Sequence, residues 1–286
     1  MKTKQTLRLI FAVIVIASAV ASACGIFMEA GNGPYQYTSI RGQEITISGK
    51  GLYQHMSADV AIQGIAQDYL TLFLAIPLLI IFGFLNNNSL KLKVFLAGLT
   101  AYFLVTYFFY LCMGMYNECF LLYVIIASAS FFGFIMQIQE LQKTNTNTWF
   151  GNKRPAFAGW FLIANAILIG AMWLSVVLPP MMDGSLYPVS LEHYTTLIVQ
   201  GLDLAILLPA SMVSGVLFLQ RKSSGYLFTP VYLVFLSFMM LALTAKITGM
   251  GLQGVNIVPA VYIIPVTTLL ALAGGWMCLG RIKTNG

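Results

Sequence analysis

Three ionisable residues lie in or beside stretches otherwise made of apolar side chains: Asp68, Asp203 and Lys246. In a membrane helix a central charge costs about 2.5–3.5 kcal/mol on insertion scales, and it faces protein or a watery cavity. Asp203 stands about two turns into one apolar stretch, and Lys246 sits near the far end of the next. Antiparallel neighbours would bring the two to similar depth, where pairing offsets much of the cost. Such a pair reads either as a salt bridge locking two helices together or as part of a binding site. Asp68 has no matching lysine, because Leu111 occupies the position corresponding to Lys246. An unpaired carboxylate there could bind a cation or a proton, or could cap a helix N-terminus.

Tyr102, Thr106 and Tyr110 recur at i, i+4 and i+8, with Tyr107 beside them, so they form one helical stripe. A tyrosine stripe can line a ligand cavity, but helix packing and interfacial enrichment explain tyrosines in membranes as well. Tyr116 and Tyr123 fit the interfacial reading. Glu118 stands at a turn between two apolar stretches, and Asn165 is placed either to join a cavity or to bond between helices. Pro77, Pro209 and Pro265 fall inside apolar stretches, where they break or kink helices. His55 and His193 stand in polar segments, beside Tyr53 and Tyr194, with Asp59 and Glu192 near. His55, His193 and Glu192 together offer an N/O donor set for a metal, though no HExxH or CxxC motif supports one. Cys112 and Cys119 bracket one tight turn, as a disulfide or as two small hydrophobes. No P-loop, GxGxxG or GxSxG occurs in a soluble segment, so no cofactor and no nucleotide hydrolysis is expected.

The elements that must position these residues follow from composition. Of 286 residues, 59% are hydrophobic and 8% charged, where a soluble domain carries about 25% charged residues. So few charges cannot cover a soluble surface, which excludes a soluble enzyme, a nucleic-acid binder and a disordered chain. An all-α membrane protein remains. A span needs roughly 20 apolar residues, and that ruler predicts eight transmembrane helices near 8–28, 68–85, 94–115, 119–138, 157–178, 197–219, 227–248 and 259–280. Polar breaks separate them, among them Asn86-Asn87-Asn88-Ser89, Asn117-Glu118, and Pro179-Pro180 with Asp183-Gly184.

Basic residues set the orientation. Lys2, Lys4, Arg8, Lys91, Lys93, Lys143, Lys153, Arg154, Arg221, Lys222, Arg281 and Lys283 all fall on one side of an eight-span chain, which makes both termini cytoplasmic. Only Arg41, Lys50 and Lys246 fall on or near the other side. The acidic residues, Glu140 apart, fall in the extracytoplasmic half. The basic start, apolar run and Ala21-Ser22-Ala23 also resemble a cleavable signal. The apolar run continues through Gly25-Ile26-Phe27-Met28, longer than the usual 7–15 residues of such a signal, so an uncleaved helix is expected.

Four spans on each side of a cytoplasmic linker, 139–156, predict two parallel four-helix repeats, 1–138 and 157–286. Sliding the chain by 135 residues aligns Asp68 with Asp203, Ser89 with Ser224, Phe103 with Phe238, and Gly114-Met115 with Gly249-Met250. The extracytoplasmic segment 29–67 of the first repeat is the longer one. Within it Arg41 to Gly51 alternates polar and β-branched residues between glycines, a pattern for a short β-hairpin. It is expected either to cap the outer mouth of the bundle or to stay a solvated loop.

Asp68-Tyr69-Leu70-Thr71-Leu72 leading to Ile76-Pro77-Leu78-Leu79 is one motif; Gly114-Met115-Tyr116-Asn117 running into Phe120-Leu121-Leu122-Tyr123-Val124 is another. With Gly49-Lys50-Gly51-Leu52-Tyr53 upstream, these resemble an uncharacterised family of bacterial polytopic integral membrane proteins. The resemblance is clearest over 40–135. It implies a bacterial cytoplasmic-membrane location and carries no activity, substrate or catalytic residue.

The expected function is an outward-facing polar cavity that binds or transports a small solute or cation, with proton or sodium coupling through its carboxylates. Asp68, Asp203, Lys246, Tyr102, Tyr110 and Glu118 are the candidate binding residues. A membrane-embedded enzyme with an extracytoplasmic acid, base or metal site is the alternative, as is a non-catalytic subunit. The lipid bilayer is the one partner the composition requires.

Overall fold

The computed structural model describes residues 2–85, 89–151 and 153–283. The expected polar break at Asn86, Asn87 and Asn88 lies outside the described residues. Eight helices among them, each of 22 to 30 residues, are long and apolar enough to cross a membrane. They comprise α1 (Lys2–Phe27), α2 with α3 (Ala58–Leu70 and Ile76–Gly83), α4 (Leu90–Met113) and α5 (Phe120–Gln142), then α6 (Ala156–Val177) continuing into a short α7 (Pro179–Asp183). After these come α8 with α9 (Ile198–Leu202 and Leu208–Leu219), α10 (Ser223–Leu252) and α11 (Ala260–Arg281).

Two of the crossings are interrupted in the same way. Between α2 and α3 the turns over Thr71–Ala75 widen to π geometry, and between α8 and α9 those over Asp203–Leu207 do the same. Each π segment is followed, one residue on, by proline: Pro77 and Pro209. Proline has no N–H, and its ring crowds the carbonyl four residues back. A wider turn relieves that clash and keeps the helix continuous.

The second crossing begins at Ala58 rather than near residue 68. Asp68 therefore lies in the last turn of α2 and is no N-cap. Ser57 holds that place.

Small residues bring the central helices together. A Cβ on Gly98 of α4 would meet the Val234 Cβ at 2.5 Å and the Val231 carbonyl at 2.7 Å, so α4 rests directly on α10. Gly159 of α6 faces Gly215 of α9, where a Cβ would meet the opposite backbone at 3.0 or 2.6 Å. Apolar tails outside the bundle reward no burial, so close backbone approach is what holds such helices. The longest helix, α10, packs against α2, α4, α9 and α11 and is the most buried of the candidate spans.

One end of the bundle is basic. There Arg154 donates to the carbonyls of Phe218 and Leu219, 2.7 Å each, a cation satisfying the C-terminus of α9. Lys91 reaches the Gly280 carbonyl at 3.3 Å, and the Arg281 guanidinium reaches that of Lys153 at 3.4 Å.

The opposite end carries the loops. β1 (Tyr35–Thr38) pairs antiparallel with β2 (Glu44–Ile47), Tyr35 opposite Ile47 and Thr38 opposite Glu44. Alternation places Ile45 and Ile47 inward and Glu44 and Thr46 outward. β1 lies upstream of the Arg41–Gly51 stretch, whose alternation marks β2 only. Arg41 at the turn donates to the Glu192 carbonyl at 3.0 Å and stacks over the Tyr187 ring, while Gln43 reaches the Val189 carbonyl at 3.1 Å. The loops of the two halves are thereby joined, and Arg41, an exception to the charge pattern, has its partners there.

Candidate functional site

Asp68 is 1% exposed and is held by tyrosines. The Tyr53 hydroxyl donates to Oδ2 at 2.5 Å, and the Tyr110 hydroxyl stands 3.3 Å from Oδ1 and 3.1 Å from the Gly64 carbonyl. Tyr107 lies 5.6 Å from Tyr110 between ring centroids, and Tyr123 lies 5.2 Å from Tyr110. Ser22 of α1 meets the Tyr107 hydroxyl at 3.3 Å. Gly25, one turn on, gives the carboxylate its room, since a Cβ there would overlap Asp68 Oδ2. Burial, then the neighbouring carboxylate, raises the Tyr53 phenol well above its ordinary pKa, so it stays a proton donor. Tyr123, expected at the interface, is instead 3% exposed and part of this cluster. Tyr116, at 80% exposed, does face outward.

The tyrosine stripe on α4 binds α2 by hydrogen bonds. The Tyr102 hydroxyl accepts from Gln67 Nε2 at 2.7 Å and meets Thr71 Oγ1 at 2.8 Å, and Gln67 also reaches Thr106 at 3.3 Å. Tyr102 is fully buried and works as a helix-to-helix brace. Thr106 and Tyr110, further along the stripe, reach a cavity.

That cavity, of about 220 Å³, lies between the first-half helices α2 and α4 and the second-half helices α6, α8, α10 and α11. Asp203, Lys246, Asn165, Gln67, Thr106 and Tyr110 supply its polar lining. Asp203 opens the second π segment, and its Oδ2 accepts from Trp173 Nε1 of α6 at 2.7 Å. No ion pair within 4.0 Å joins Asp203 to Lys246 among the described residues. Of the two readings of the pair, the direct salt bridge is not formed: Trp173 bonds the carboxylate from α6, and Asp203 and Lys246 both border the cavity. α10, which carries Lys246, packs on α2 as well as on α9.

A second chamber of about 470 Å³ lies toward the loop-rich end, bordered by Asp59, Glu192, His193, Tyr194 and Gln200. Gln63 and Met113 line both chambers. Glu192 Oε2 and His193 Nδ1 are buried without a hydrogen-bond partner. His193 Nε2 meets the backbone carbonyl of His55 at 3.2 Å, while the His55 side chain is exposed, so the two imidazoles do not converge. Among the described residues no group of three or more His, Cys, Asp or Glu is placed to hold a metal ion. Glu118 is exposed and borders neither chamber. Cys112 and Cys119 are unbridged, and burial first of all raises the Cys119 thiol to about 12.

Sequence reading missed Tyr53, Trp173 and Gln63. Tyr53 lies in a polar loop 15 residues before its partner, Trp173 reads as an interfacial aromatic, and Gln63 as one of several polar residues at a span boundary. No protein-family model, curated protein or solved structure matches this chain.

Proposed function

We propose that this integral membrane protein binds a small polar solute or cation in the cavity between its halves, and takes it from the extracytoplasmic side. The observation that carries the reading is the placement of Asp203 and Lys246 on one cavity without an ion pair between them. Two charges kept in a membrane span cost free energy that a direct pair would recover. Left apart, the carboxylate is free to meet a cationic group and the ammonium an anionic one. A zwitterionic solute satisfies both. About 220 Å³ holds roughly seven waters at about 30 Å³ each, which suits a small metabolite rather than a drug-sized ligand. The loop-side chamber, sharing Gln63 and Met113, serves as the vestibule, with the β-hairpin as part of its cover.

The bacterial cytoplasmic membrane, with both termini cytoplasmic, is the location this reading assumes. The two halves act as parallel repeats around α4 and α10. The π segments and their prolines, Pro77 and Pro209, support that arrangement with an offset of 132 residues, 209 less 77. On that register Thr71 rather than Asp68 corresponds to Asp203.

Purified protein in nanodiscs, titrated with small zwitterions, monovalent cations and carboxylates, tests the reading. Asp203→Asn and Lys246→Gln are each expected to weaken zwitterion binding about tenfold or more, while Lys246→Gln spares a simple cation. Binding unchanged in both variants, with the proteins folded, overturns it. The unpartnered Glu192 Oε2 and His193 Nδ1 favour a second reading, extracytoplasmic acid–base catalysis in the vestibule. Turnover lost in Glu192→Gln and His193→Ala, with solute binding intact, would establish that one.

A further inference from the structure

The cavity between the halves changes character along its depth. On α10 its lining residues Tyr232, Phe235, Met239, Leu243 and Lys246 recur every three or four positions and form one stripe. Met250, one turn beyond Lys246, lines the loop-side chamber, so Lys246 marks the outer end of the stripe. Asp203 enters at the same end, and Leu207 and Leu208 follow it inward along the chain. At 1.5 Å per residue, the stripe from Lys246 to Phe235 reaches about 16 Å toward the basic end.

Polar groups along that depth are mostly engaged within the protein. The Tyr232 hydroxyl donates to the Leu207 carbonyl at 2.7 Å, and that of Tyr110 to the Gly64 carbonyl at 3.1 Å. Gln67 donates to Tyr102 and Thr106. Beside them Phe109, Phe235, Met239 and Leu243 give the wall its carbon surface. Asn165 is the exception. It lines the cavity from α6, is 7% exposed, and its amide makes no hydrogen bond among the described residues. It stands eight residues, about 12 Å, inward of Trp173, the donor to Asp203. A buried amide left without a partner is costly, and nothing in the bundle relieves it. The cavity is thus charged at its outer end, apolar along its length, and supplied with one free amide further in.

We infer that the solute is an aromatic α-amino acid with a ring hydroxyl, its charged head on Asp203 and Lys246, its ring along α10 and its hydroxyl on Asn165. This rests on the zwitterion reading above and adds what lies beyond the two charges. A ring suits this wall because aromatic edges and thioethers pack favourably on it. It also crosses an apolar depth with only two rotatable bonds to fix. The side chains of Asp203 and Asn165 take up part of the 12 Å or so between their helix positions, and a para-hydroxylated ring covers the remainder. Entry from the vestibule would then be ring first, with the charges closing behind it.

Calorimetric titration of the full-length protein in nanodiscs with tyrosine, phenylalanine, alanine and glycine tests this. Phenylalanine is expected to bind at least tenfold more tightly than alanine, because each apolar carbon buried in such a pocket adds affinity. Tyrosine should exceed phenylalanine about fivefold, the net worth of one hydrogen bond. Asn165→Leu should abolish the preference for tyrosine while phenylalanine still binds, a change of selectivity that a merely structural role would not produce. Met239→Gln, which keeps the length of the side chain, should weaken phenylalanine severalfold and leave alanine unaltered. Unchanged melting midpoints establish that both variants are folded. Alanine or glycine binding as tightly as phenylalanine overturns the inference while leaving the zwitterion reading intact. Tyrosine no tighter than phenylalanine, or a preference that survives Asn165→Leu, also overturns it. Binding of none of the four overturns this inference and the zwitterion reading together.

Discussion

A carboxylate can be kept inside a membrane bundle in more than one way, and Asp68 and Asp203 illustrate two. Asp68 is enclosed by phenolic donors, and Tyr110, which bonds it, lines the cavity in its place. Asp203 has a single donor, Trp173, and borders the cavity itself. Removing one partner of a buried hydrogen bond and leaving the other unsatisfied costs about 1–3 kcal/mol. Tyr53→Phe is therefore expected to destabilise the protein by about that amount in detergent denaturation, while Tyr116→Phe, an exposed hydroxyl, leaves the midpoint unchanged. Gly25→Ala should cost about 1–3 kcal/mol by overpacking against Asp68. Gly201→Ala is the control, since a Cβ there meets nothing within 4 Å. Retention of the wild-type midpoint by Gly25→Ala would show that α1 does not press on Asp68.

Among the elements, the two π-interrupted crossings matter most for the site. A π turn changes which residues face inward without breaking the helix, and such turns concentrate at functional positions. In α8–α9 the turn starts at Asp203 itself, so the residue that bears the charge also begins the change of register. The hairpin is the other element with a definite task, because two strands alone are marginal and this pair leans on the 187–192 loop through Arg41 and Gln43. Arg41→Ala is expected to raise amide hydrogen exchange across residues 187–194 severalfold and leave α4 and α10 protected. Exchange that is unaltered in that loop would mean the hairpin does not hold it.

At the scale of the whole molecule the charges form two ends. Eight crossings put Lys50 and Ser185 on the loop-rich end and Lys143 and Lys222 on the basic end. Single cysteines at Lys50 or Ser185, in a background lacking Cys112, should react with a membrane-impermeant maleimide in intact cells. Those at Lys143 or Lys222 should react only after permeabilisation. The reverse pattern would invert the orientation and move the vestibule to the cytoplasm.

Hydrophobic length and the scarcity of charge determine, from the sequence alone, that eight apolar helices form, because a continuous run of about 20 apolar residues needs no tertiary partner to be recognised. The same reading singled out Asp68, Asp203 and Lys246, since an ionisable group in such a run is conspicuous wherever it points. What surrounds each charge was decided only by the tertiary structure. Tyr53, 15 residues away in a loop, bonds Asp68; Trp173, 30 residues away, bonds Asp203; Lys246 borders the cavity without closing on either carboxylate at salt-bridge distance. The early start of α2 at Ala58 removed Asp68 from a capping position, and Tyr123 went inside rather than to the interface. Helix rotation and close packing at glycines fix those neighbours, and side chains about 100° apart on a helix differ in surroundings while looking alike in hydropathy.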